Sequence, residues 1–290
     1  MTKEKQSQRS HSSGTLMDHA VLFQIPQQRS IVSSVLRSGI ILLPLFLSLT
    51  ALFIAPYHTS AHASDDQRAA SPQEHVILIH GMARSASCMQ SMAEALQKAG
   101  YHTTILDYPS RKKTIHALSE QHLSPAVKAC QTKGATKIHF VTHSLGGILV
   151  RDYLHHHKLA ELGKVVMLAP PNQGSEVVDT IGHWKAFALV NGPAGKQLGT
   201  ADNSPPNALG GVTYPVGIIA GDRSINPINS WMIPGSDDGK VSIKHTKLEG
   251  MRDHIVIHCT HPMIMKRSDA IDLSLRFLRH GSFAKAKDTP

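Results

Sequence analysis

EHVILIHG, residues 74–81, is the stretch that most limits what the chain can become. Apolar side chains occupy nearly consecutive positions, so a strand made from it must be covered on both faces. That is the situation of a strand inside a parallel sheet with helices above and below. The following segments keep a strand–helix alternation. SCMQSMAEALQKAG (87–100) carries Met89, Met92, Ala93 and Leu96 at helical spacing and stops at Gly100. YHTTILDYP (101–109) reads as a second strand, and residues 114–134 as helix broken at Pro125. TKIHFVTH (136–143) is a third strand and LGGILVRDYLHHH (145–157) a helix. KVVMLAPP (164–171) and PVGIIAGD (215–222) are a fourth and a fifth strand. IVIHCTHPMIM (255–265) is a strand followed by a loop, and SDAIDLSLRFLRHG (268–281) the last helix. This order predicts an α/β fold, a mainly parallel sheet with helices on both faces. Residues 175–214, rich in Gly, Pro and Asn with a weak helical stretch near 176–190, are too few for a domain and enough for a small cap.

The first 63 residues follow a different plan. Residues 39–55, GIILLPLFLSLTALFIA, are apolar and uncharged, with Arg29 and Arg37 before them and Ala61-His62-Ala63 after. Basic flank, apolar core and small-x-small site make an export signal. Met17 offers a later start, which would shorten its long basic flank. Cleavage near Ala63 predicts a periplasmic or secreted protein. Retention predicts a membrane anchor through residues 39–55. Residues 64–73 read as a flexible lead-in and residues 74–285 as the globular domain.

Composition excludes several classes. Three cysteines without CxxC spacing exclude a disulfide framework and a cysteine-rich zinc site. The net charge is +9, but no basic run is longer than Arg111-Lys112-Lys113, so no nucleic-acid role is expected. His155, His156 and His157 are adjacent, point in different directions, and read as a solvated helix end with no metal.

The chemistry gathers at strand ends, where open α/β sheets place their sites. Ser144 in Thr142-His143-Ser144-Leu145-Gly146 follows a strand and opens a helix, so it stands on a tight turn with Gly146 and Gly147 beside it. Thr142 stands where a G-x-S-x-G turn has glycine. A serine nucleophile needs a base and an orienting acid. His143 is excluded as the base because adjacent strand residues face opposite ways. His261, in the loop after 255–258, is preferred over His258 and His254. After the fifth strand stand Asp222, Asp237 and Asp238, of which Asp238 is preferred and Asp237 second. The N–H groups of Leu145 and Met82 are the expected oxyanion donors, with Gly81 allowing the Met82 turn. Gly81 and Asn172 are expected against substrate. Trp184, Phe187, Leu189, Trp231, Met232 and Ile233 are candidates for an apolar acyl surface.

HVILIHGM, FVTHSLGGILVRDYL, VMLAPPNQGS, GSDDGKVS and HPMIM, in that order across residues 75–265, resemble the α/β-hydrolase family, and in particular small bacterial lipases and esterases. The resemblance implies Ser144, Asp238 and His261 as nucleophile, acid and base in the family's order. It implies an ester of a small molecule or lipid as substrate, an acyl-enzyme intermediate and no cofactor. The same three residues would serve a thioesterase, amidase or acyltransferase, and the fold also hosts non-catalytic binding proteins.

Overall fold

The computed structural model describes residues 73–285. The expected export signal of residues 1–63 and the expected lead-in up to residue 72 lie outside the described residues. Among the described residues, no helix is long and apolar enough to cross a membrane.

Six strands form the sheet: β1 (Glu74–Ile79), β2 (His102–Leu106), β3 (Lys137–His143), β4 (Leu162–Leu168), β5 (Val216–Gly221) and β6 (Asp253–Ile257). Their spatial order is β2-β1-β3-β4-β5-β6, and every pairing is parallel. This is the α/β-hydrolase arrangement expected from the sequence. In β1, Val76, Ile77, Leu78 and Ile79 are all wholly buried, and alternate residues enter different cores. Val76 and Leu78 join Met92 and Leu96 of α1 (Gln90–Lys98) and Phe277 of α10 (Ser268–His280). Ile77 and Ile79 join Val127 of α3 (Ser124–Thr132) and Ile148 and Leu149 of α4 (Leu145–His156). Each such side chain contributes roughly 1.5–3 kcal/mol by leaving water. The consecutive apolar run of β1 therefore reflects one helix layer on each side.

Three expectations need correction. Residues 114–134 are not broken at Pro125. α2 (Ile115–Leu118) passes through one wide π turn, Ser119–Leu123, directly into α3. The N–H of Ser124 bonds Ser119 O, five residues back, and this wider turn moves carbonyls away from the proline ring. β4 ends at Leu168 instead of 171, because Pro170 and Pro171 have no N–H for a ladder. The region 175–214 holds three helices instead of one weak stretch: α5 (Glu176–Ile181), α6 (Lys185–Lys196) and α7 (Pro205–Ala208). α6 turns sharply at Gly192, whose φ of +66° and close approach to the Arg111 carbonyl both exclude a side chain. Two short helices follow β5: α8 (Pro227–Met232) and α9 (Ile243–Thr246). Cys88, Cys130 and Cys259 are free thiols.

Histidines are buried in this core. His139 of β3 is 2% exposed and accepts the Lys164 N–H at Nδ1, 2.8 Å away. Burial, with Lys164 and Lys137 adding repulsion, lowers its pKa from 6.5 to about 4. The folded state thus keeps His139 neutral while the unfolded chain takes up a proton below 6.5. Its contribution is fully present above pH 6.5 and is lost as pH falls toward 4, about 3 kcal/mol in all. Urea unfolding should show stability declining across that window, and His139→Gln should make the decline shallower. An identical decline in wild type and variant would contradict the assignment.

Candidate active site

Ser144 joins β3 to α4 with φ 52° and ψ −122°. A side chain on such a backbone costs on the order of 1–3 kcal/mol, and the surroundings must hold it. They do so from both ends. The Ser144 N–H bonds Leu168 O at the end of β4 (2.9 Å), and Ser144 O accepts the Gly147 N–H (2.9 Å). Leu145 then opens α4, so its N–H lies among those that find no partner within the helix, at the positive end of the helix dipole. Gly146 lies against β1, where a Cβ would come within 2.7 Å of Ile79 O and 2.9 Å of Ile79 Cγ2. Thr142, the residue out of pattern, is wholly buried and its Oγ1 faces Val166 O at 3.4 Å. Its larger side chain fits because residue 147 is glycine: a Cβ there would already meet Thr142 Oγ1 at 3.3 Å.

His143 is 2% exposed, and its Nε2–H donates to the backbone carbonyl of His261 at 3.0 Å. The two rings lie 4.8 Å apart. Burial, then the neighbouring His261, holds the His143 pKa well below the usual range, so the ring stays neutral. His143 is thus a strut beneath the loop of His261. The sequence excluded it as a base without revealing this contact, which spans 118 positions.

His261 Nδ1 and Asp238 Oδ2 are 2.7 Å apart, both residues being buried. Asp238 Oδ1 accepts the N–H groups of Lys240 (3.0 Å) and Val241 (2.9 Å), and Asp238 O accepts the His261 N–H (2.9 Å). With Nδ1 engaged by the carboxylate, Nε2 is the nitrogen left for the cleft. The other candidates are engaged elsewhere. Asp237 Oδ1 accepts from Ser230 Oγ (2.9 Å) and the Gly239 N–H (2.7 Å). His258 and Asp222 pair with each other at 2.9 Å, and His254 Nε2 meets Thr246 Oγ1 at 3.0 Å.

Ser144, Asp238 and His261 line one cleft of about 580 Å³, together with Met82. Val177 and Val178 of α5, Phe187 and Val190 of α6, and Ile225 make much of its wall apolar. The loop after β1 is pinned against it. Tyr108 Oη donates to His80 O at 2.7 Å, and the Ala83 N–H donates to Ser110 Oγ at 3.0 Å. Gly81 fits under the Ser144 turn, where a Cβ would meet His143 Nδ1 at 2.7 Å and Ser144 Cβ at 3.0 Å.

Asn172 does not belong to this wall. It is 1% exposed, its Nδ2 donates to Thr246 O (2.8 Å), and its carbonyl accepts from Arg151 Nη1 (2.9 Å). Arg151, buried on α4 and donating also to Gly210 O at 2.7 Å, was not singled out from the sequence. Its partners fold back from distant loops and leave no local signature. Of the proposed acyl surface only Phe187 lines the cleft. Trp184, Leu189 and Trp231 are exposed, and Ile233 is buried. The His155–His157 run is not merely solvated. His157 Nε2 meets Glu120 Oε1 at 2.6 Å, and His156, Asp152 and His116 bring ligand-type atoms within 4.8 Å of one another. That group stands at the opposite end of α4 from Ser144.

Residues 74–197 match the family model of the alpha/beta hydrolase fold. The mature lipase BlEst2 of Bacillus licheniformis superposes with a TM-score of 0.58 at 20% identity, over 73% of this chain and 94% of that one. The phospholipase PlaB of Legionella pneumophila superposes with a TM-score of 0.50 at 18% identity, over 60% of this chain and 45% of that one. At such identities the likeness is one of fold. No curated protein sequence matches the chain.

The turn yields a paired prediction. Replacing a helical glycine by alanine ordinarily adds up to about 1 kcal/mol of stability. At Gly146 the new methyl would press on β1, so Gly146→Ala should instead destabilise by about 2 kcal/mol or more. Gly147→Ala, with its nearest contacts at 3.3 Å, should cost less than half of that. Thermal melts of both variants check the order, and equal melting temperatures would contradict it.

Proposed function

As an α/β-hydrolase-fold chain with a buried Asp–His pair facing the same cleft as a strained serine, this protein is, we propose, a serine hydrolase of carboxylic esters, of the lipase or esterase type. The observation that carries the reading is the 2.7 Å Asp238–His261 contact in the cleft that also holds Ser144. In this reading Ser144 Oγ attacks the ester carbonyl carbon while His261 Nε2 takes its proton. Asp238 holds Nδ1–H and stabilises the imidazolium. The tetrahedral oxyanion is received by the N–H groups of Leu145 and Met82. Collapse expels the alcohol, protonated by His261. Water, deprotonated by the same histidine, then releases the acid and restores Ser144. The apolar wall from α5 and α6 takes the acyl chain, and the cleft volume suits a small ligand or one chain of a lipid. No step in this scheme calls on a metal or cofactor. Export through residues 1–63 is a separate proposal. N-terminal sequencing of protein recovered outside the cytoplasm should begin at Ser64, and an intact N-terminus would contradict cleavage there.

Kinetics on p-nitrophenyl esters test the roles. Ser144→Ala should abolish turnover above background, and Asp238→Asn should lower kcat by about 10³–10⁴-fold. Asp237→Asn, if it melts like wild type, should stay within about tenfold. Unchanged turnover in Asp238→Asn, or loss in Asp237→Asn alone, would move the acid to the other residue. Turnover surviving in Ser144→Ala would remove the serine mechanism.

A further inference from the structure

Beside the cleft lies a second recess of about 530 Å³ lined by Arg84, Arg111, Lys112 and Lys266. Its wall contains no acidic residue, and it shares Ala83 and Arg84 with the cleft. We propose that this recess binds an anionic group, phosphate-like in charge, carried on the alcohol part of the ester. The substrate is then an amphiphile with its acyl chain under α5 and α6 and its charged group among the four cations. The substrate part of this inference rests on the esterase reading.

Three observations support it. First, none of the four cations forms an ion pair among the described residues, whereas Arg267 on the same surface is paired with Asp269 at 2.7 Å. Four like charges around one hollow repel each other, and folding gains nothing from gathering them. Asp107, beside the wall residue Tyr108, is engaged elsewhere: its Oδ1 accepts the Ala86 N–H at 3.3 Å and faces His80 Nε2 at 3.4 Å. Second, the walls are built. Ser110 Oγ ties the Arg111 side to the Arg84 side through the Ala83 N–H. The Ala194 N–H of α6 bonds Lys113 O at 3.1 Å, just beyond the turn where Gly192 meets the Arg111 carbonyl. The cap thus holds the segment that carries Arg111 and Lys112. Third, the position fits the chemistry. Met82, the proposed oxyanion donor, is two residues from Arg84. Arg84 lines both the recess and the cleft that holds Ser144, so an anion held by it lies where the two meet. A guanidinium can hold such a group through two parallel N–H donors, with the lysines adding point charges.

The test uses the purified full chain and two monomeric esters with one acyl chain, 1-butyryl-glycerol and 1-butyryl-glycerol 3-phosphate. Wild type should prefer the phosphate ester tenfold or more in kcat/KM, with the preference shrinking as salt rises. Arg111→Glu/Lys112→Glu should bring the ratio to about one. Lys128→Glu/Lys133→Glu, an equal charge change on an exposed stretch elsewhere, should keep it. Glycerol 3-phosphate binding by calorimetry should follow the same pattern. A ratio near one in wild type, a ratio surviving the first variant, or a ratio lost equally in both variants would overturn the proposal. Binding lost only in the first variant, with neither ester hydrolysed, would contradict the esterase reading and leave the anion site standing. Competition by phosphatidylglycerol vesicles but not phosphatidylcholine vesicles would mark a lipid headgroup as the natural source. Absence of competition would mark a soluble phosphate ester.

Discussion

The approach of α4 to β1 at Gly146 is the contact on which the site depends. The helix can start directly after β3 only if its second residue has no side chain, because the Ile79 carbonyl already occupies that space. With the helix held there, the chain must reverse within one residue, and Ser144 takes the strained backbone that results. The same approach sets the N-terminus of α4 beside the loop after β1, so the two segments that bear the proposed oxyanion donors are neighbours. Thr142 and Gly147 form a complementary pair one layer below, the larger side chain matched by the absent one.

Two more loops complete the cleft, and both lean on the first. The loop after β5 carries Asp238, whose carboxylate is fixed by two backbone N–H groups before it meets His261. The loop after β6 carries His261, and its backbone is tied to Asp238 on one side and to the His143 ring on the other. His143 can serve there because burial keeps it neutral. A neutral ring can donate its one N–H to the His261 carbonyl without adding a charge beneath the cleft. The side chain adjacent to the serine thus positions the loop bearing the proposed base.

Much of this was legible in the sequence because the signals were local. A consecutive apolar run such as 76–79 has few solutions other than a strand covered on both faces. Ser144 followed by Gly146 and Gly147 announces a tight strand-to-helix turn, and the loops after later strands supply few alternatives for its partners. What escaped was set by distant contacts. Asn172 sits in a stretch that follows a strand end, but its side chain turns inward to Thr246, 74 positions away. The helices of the cap are weak in isolation, and α6 depends on a glycine fitting against Arg111. Pro125 looked like a helix break because a π turn ahead of a proline has no spacing signature. The cationic recess draws on residues 84, 111, 112 and 266, so charge counting along the chain sees only scatter.

The central claim is that Ser144 is a nucleophile activated by the Asp238–His261 pair. Reaction of the folded protein with a fluorophosphonate, followed by digestion and peptide mass mapping, addresses it most directly. The account predicts one adduct, on the peptide containing Ser144, with labelling slowed severely in His261→Ala. A folded protein that stays unlabelled, or an adduct on another residue, would contradict it.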